Sequence, residues 1–201
     1  VVDKDGNVVE EWISTDKPHE IVAKLVVDES YVLREVRPAD GWAYAEDVPF
    51  KVSHDGTVDY VKMEDKPTHV VISKQEITGS KELPGCTLQV IDKNGNVVDE
   101  WVSTDQPHEI KEKLIADEEY TLREVRPADG WAYAEDIPFK VSHDGTVDQV
   151  KMEDKPTHVV VSKKKITGKE ELPGCHLVIK DKNGNVVDEW TSSTIPHEIV
   201  A

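Results

Sequence analysis

The stretch Tyr120-Thr121-Leu122-Arg123-Glu124-Val125-Arg126-Pro127-Ala128-Asp129-Gly130 begins by alternating apolar and polar side chains and ends in a proline and a glycine. Alternation sends successive side chains to opposite faces of a strand, Glu119–Arg126, and Pro-Ala-Asp-Gly ends it in a turn. The same reading extends outward in both directions. Val70–Glu76 is β-branched and alternating, and the breakers Ile77-Thr78-Gly79 and Leu83-Pro84-Gly85 follow it. Cys86–Asp92 and Asn96–Ser103 flank Lys93-Asn94-Gly95, where Asn-Gly suits the positive φ of a tight hairpin. Beyond the Pro127–Gly130 turn, Trp131–Val141 reads as a strand, and the turn His143-Asp144-Gly145 leads into Val147–Asp154. His108–Leu114 fits a strand or a helical turn equally well. About seven short strands, with no sustained 3.6-residue periodicity, predict an all-β sandwich of immunoglobulin-like size.

The module is written more than once. Trp12, Trp101 and Trp190 are spaced by 89 residues, as are Cys86 and Cys175, with no insertion between copies. Aligning Val1–His69 with Val90–His158 leaves 13 mismatches. A period of 89 residues is too long for a solenoid repeat and suits a small domain. The 201 residues therefore divide into a partial module at 1–69, a complete one at 70–158 and the first part of a third at 159–201. The first copy is expected to lack its first strand and most of its second. Only Lys155-Pro156-Thr157-His158 separates one copy from the next, so the string is expected to be a semi-rigid rod.

Charge narrows the function. With 24 basic and 41 acidic residues the net charge is −17, which argues against nucleic acid as a partner. The longest apolar runs are four or five residues, so no membrane insertion is expected in this segment. Two cysteines in two different copies cannot staple a module internally. A module of this size buries a modest core and calls for some other reinforcement.

Parity suggests one. Lys74 shares a strand face with Val70 and Ile72, Glu124 with Tyr120 and Leu122, and Asp154 with Val150 and Met152. Three charges from three strands are thus expected to point inward, where charged side chains are rare. Burial disfavours an ammonium and a carboxylate alike. A neutral amine beside a protonated carboxyl is a nucleophile beside an electrophile. A neighbouring glutamate can polarise the carbonyl and relay protons, so the pair can condense to an amide with loss of water.

The combination of first-strand Ser73-Lys74, Leu83-Pro84-Gly85, Tyr120-Thr121-Leu122-Arg123-Glu124 followed by Pro127–Trp131, and closing Met152-Glu153-Asp154-Lys155-Pro156-Thr157 resembles the Cna B-type, or SpaA-like prealbumin-fold, repeats of Gram-positive surface proteins and pilins. The resemblance implies prealbumin-like sandwiches in tandem, outside the cell at the cell surface or wall. It also implies a self-formed isopeptide cross-link between Lys74 and Asp154, with Glu124 as the catalytic acid. Aspartate replaces the commoner asparagine of the family, so water leaves instead of ammonia. The first copy carries the equivalents Glu35 and Asp65 without a lysine, and the third brings Lys163 alone. Strand addition between Lys163 of one molecule and Asp65 of another is a further expectation, giving self-association.

Other constellations point to simpler roles. The 8 histidines fall at repeat positions such as His19, His108 and His197, without ligand spacing, so no metal or cofactor is expected. Asp92–Asn96 starts like a calcium loop, but its glycine is at the fourth place and Ser103 stands at the twelfth. Ser142-His143-Asp144 lies on a turn and does not converge as a triad must. Cys86 and Cys175 read as small buried side chains and Trp131 as a packing residue. The expected function is a structural stalk or spacer of a bacterial adhesin or pilin-like protein, and not a turnover enzyme. Neighbouring modules are its first partners, with host or glycan ligands left to other parts. The rival is a ligand-binding surface module using Trp131 and its loops.

Overall fold

The computed structural model describes residues 1–200. Among them the chain is all strand and turn. The strands are β1 (Val2–Asp3), β2 (Ser30–Leu33), β3 (Val48–Lys51), β4 (His69–Glu76), β5 (Thr87–Asp92), β6 (Val97–Val102), β7 (His108–Lys111), β8 (Glu119–Arg126), β9 (Ile137–Lys140), β10 (Asp148–Asp154), β11 (His158–Val161), β12 (His176–Lys180), β13 (Val186–Thr191) and β14 (His197–Val200).

Strands β4 to β10 build two sheets, ordered β10-β4-β7 and β6-β5-β8-β9. Their facing sides hold the core, with Val70, Ile72, Leu88, Val90, Leu122 and Met152 essentially inaccessible to water. In β4, β8 and β10 the buried residues alternate with ones more open to solvent, the pattern of two layers packed face to face. One pairing departs from antiparallel. β4 and β10, first and last in this unit, lie side by side and run the same way, with Ile72 opposite Val150 and Lys74 opposite Met152. The chain therefore enters and leaves at opposite poles.

Several sequence expectations change in detail. The ambiguous segment at His108 is a strand, hydrogen-bonded to β4 from Ile72↔His108 to His69↔Lys111. Within the predicted strand Trp131–Val141, only Ile137–Lys140 pairs as a ladder. The reason lies in what the earlier amides bind: Ala132 N donates to Lys155 O, and Ala134 N to the Glu124 carboxylate, 2.9 Å away. The β5–β6 turn takes its positive φ at Gly95 alone, while Asp92 Oδ1 accepts from Asn94 N and Asn96 N. That Asx turn uses the carboxylate that resembled a calcium ligand.

In the first copy β1, β2 and β3 form one antiparallel sheet, and in the third β11 pairs with β14 and β12 with β13. The first copy also touches the central unit. Thr68 is buried, and its hydroxyl donates to Gly41 O at 3.1 Å and lies 2.8 Å from Leu114 O. Tyr44 N donates to His143 O, and the two rings stack with centroids 4.2 Å apart. No side chain fits at Gly41: a Cβ there would sit 2.4 Å from Glu112 O, at a φ of +86°.

Candidate functional site

The site lies where the two sheets approach at one end of the central unit. β4 carries Lys74 inward after Val70 and Ile72, β8 carries Glu124 after Tyr120 and Leu122, and β10 carries Asp154 after Val150 and Met152. Strand alternation, continued one residue pair beyond the apolar set, is what buries all three. Lys74 is 2% exposed, Glu124 6% and Asp154 0%.

The three meet. Lys74 Nζ donates to Asp154 Oδ1 and lies 3.0 Å from Glu124 Oε1. That second approach is an ion-pair distance out of line for a hydrogen bond, so Glu124 Oε1 is a buried oxygen with no hydrogen-bond partner. Oε2 is anchored by the amide of Ala134. Burial pushes the Asp154 carboxyl above its ordinary range, and the nearby Glu124 pushes the same way, while Lys74 opposes both. An acid that burial pushes toward its protonated form, beside an amine and with a second carboxyl in reach of that amine, has the parts for condensation.

Supporting contacts fix these groups. Lys74 N donates to Glu82 Oε2 at 2.9 Å, and Leu83 N donates to Lys74 O. Buried Ser103 accepts from Cys86 N at 2.9 Å and donates to Leu83 O at 2.6 Å, clamping the Leu83–Cys86 segment over the site. The sequence reading gave Cys86 only a packing role, yet its Sγ stands 3.7 Å from Asp154 Oδ2. Parity puts Cys86 on the inward face with Leu88 and Val90, and the structure pairs Leu88 with Glu124; only the structure shows that its thiol meets Asp154. Donor atoms of Cys86, Glu124 and Asp154 lie within 4.8 Å of one another, but Lys74 Nζ already meets two of the three.

The equivalents in the flanking copies are placed differently. Glu35 accepts from Ala45 N at 2.9 Å as Glu124 does from Ala134, and burial raises its carboxyl. Asp65 and Lys163 are both exposed. Trp131 packs against the central core and bridges to Pro156. Trp101 stacks on His108 with centroids 4.1 Å apart, and His108 Nε2 is 2.7 Å from Asp99, so that histidine is held by packing and a carboxylate.

Residues 68–156 match the family described as the SpaA prealbumin-like fold domain. Among solved structures, the TIE protein of Bacillus anthracis is similar at 18% identity and a TM-score of 0.50, over 85% of this chain and 34% of that one. The shaft pilin SpaA of Lactobacillus rhamnosus GG is similar at 15% identity and a TM-score of 0.39, over 64% of each chain. A streptococcal ancillary pilin gives 14% and 0.38, over 87% of this chain and 63% of that one. The chain thus spans about a third to two thirds of the length of these proteins, and at such identities the likeness is one of fold. No curated protein matches the chain significantly. No helix among the described residues is long and apolar enough to cross a membrane.

Proposed function

We propose that the chain is a run of structural modules from the stalk of an extracellular Gram-positive surface protein or pilin, in which the central module locks itself with a Lys74–Asp154 amide. The observation that carries this is the buried meeting of Lys74 and Asp154, from the two parallel end strands, with Glu124 from the facing sheet. In its unprotonated form the Lys74 amine attacks Cγ of the protonated Asp154 carboxyl. Glu124 takes a proton from the attacking nitrogen and delivers it to the departing oxygen, so that one N–C bond forms, one C–O bond breaks and one water leaves. Glu124 ends as it began, and each module reacts once.

Mechanics gives the bond its purpose. β4 and β10 run parallel, so tension between the poles shears them past each other. A covalent tie between these two strands carries that load in place of the backbone hydrogen bonds. It also closes a loop of 80 residues, which by the chain-entropy estimate for a disulfide of that span stabilises by ~4–5 kcal/mol. The close fit of the first copy on the central one supports transmission of force along a rod with limited bending, with neighbouring modules as the partners.

Single-molecule extension between the two termini tests this function. The wild-type chain should withhold the segment between Lys74 and Asp154, a sequence separation of 80. Glu124→Ala should release it, lengthening the fully extended chain by roughly 250 Å. Equal extension of the two proteins would sink the proposal.

A further inference from the structure

The central module carries a second chemically active side chain at the same carboxyl. Asp154 offers two oxygens, and Lys74 Nζ donates to Oδ1. The Cys86 thiol donates to Oδ2 across 3.7 Å, a normal reach for a sulfur donor. Cys86 is completely buried at the head of β5, and its backbone amide is fixed by Ser103 Oγ. Its direction is thus set by the clamp that also holds Leu83.

We propose that the Cys86 thiol is a catalytic hydrogen-bond donor to Asp154 Oδ2, holding the carboxyl for attack and stabilising the oxyanion that forms on that oxygen. The assignment rests on the Lys74–Asp154 condensation proposed above. It divides the labour between the two oxygens. When Nζ attacks Cγ, the C=O electron pair moves onto Oδ2, where the S–H bond receives it. Oδ1, on the side of Lys74 and Glu124, takes the relayed proton and departs as water. Collapse of the intermediate restores C=O at Oδ2, now the amide oxygen, still facing the thiol. Sulfur neither gains nor loses a bond.

A nucleophilic cysteine fits less well. Burial pushes the thiol up to about 11, so it stays protonated at neutral pH, as a donor must and a nucleophile must not.

The test follows the condensation in time. The full chain in a Cys175→Ala background, leaving Cys86 as its sole thiol, is made by cell-free synthesis, quenched in denaturant at intervals and weighed intact. The fraction lacking one water is the readout. Cys86→Ala should slow its growth about tenfold and reach the same end point, because one weak donor is lost from the oxyanion. Cys86→Ser, which restores a donor, should recover most of the parental rate.

A Cys86→Ala chain as fast as its parent overturns the assignment. So does a Cys86→Ser chain as slow as Cys86→Ala, a result that points to thiol nucleophilicity instead. If the parent loses water, Glu124→Gln does not, and Cys86→Ala matches the parent, only the role of Cys86 falls. If the parent never loses water, the condensation and the role of Cys86 fall together.

An infrared measurement is independent of how well the Cys86 variants fold. In the Glu124→Gln, Cys175→Ala chain, held before reaction, the S–H stretch should lie below that of a solvated cysteine peptide. A band at the position of a free, unbonded thiol contradicts the assignment.

Discussion

Glu124 is the residue on which the chemistry turns, because it alone touches the amine without being consumed. Glu124→Gln keeps the size and the Ala134 contact while removing the proton relay, so that variant should fold and fail to cross-link. It should also acquire a pH dependence that the wild type lacks. The Asp154 carboxyl is raised above its ordinary value of 3.8, chiefly by burial, so the folded state binds the proton more tightly than the unfolded one. Its contribution to stability is full below 3.8 and is lost as pH rises through the raised value. On the proposed condensation, that carboxyl is an amide in the wild type. Denaturant unfolding of both proteins across the acid range should show their stability difference widening as pH rises, and a constant difference would contradict the assignment. Lys74, Glu124 and Asp154 could be read in the sequence because strand parity is local. Cys86 could not be given its role that way, since which oxygen a thiol meets depends on the distance between two sheets.

Elements were legible where a strand buries one face. Glu119–Arg126 stands in the structure with the bounds its alternation predicts, and Val70–Glu76 gains only His69. Trp131–Val141 was over-read because its first amides bond to Lys155 and Glu124 rather than to a neighbouring strand, which no local pattern reveals. The expected Lys74–Asp154 link puts β4 beside β10, but that they pair in parallel along seven residues is recorded in neither strand. Between these elements Ser103 is the main polar clamp. Ser103→Ala leaves the Cys86 amide without its buried acceptor and should destabilise the central module by about 1–3 kcal/mol, measured by denaturant unfolding in the Glu124→Gln background so that the cross-link does not mask the change. A loss within error would show that the clamp is dispensable.

At the scale of the whole molecule, the repeat predicted a short link, and the structure adds a fitted junction. Gly41 admits no Cβ against Glu112, and Tyr44 stacks on His143. Gly41→Ala combines strain at positive φ with a backbone clash, so it should part the first copy from the central one. Small-angle scattering should then report a broader distribution of lengths, with the core resonances of the central module unchanged; an identical scattering curve would refute the lock. The cross-link and the junction serve one account, a rod whose beads neither unravel nor swivel freely. Its central claim is that Lys74 and Asp154 are one covalent unit, and the intact mass of the denatured protein tests this most directly. The account predicts a wild-type mass short of the sequence mass by one water, with Glu124→Gln showing no deficit against its own sequence. A wild-type mass equal to that of the plain sequence would contradict it.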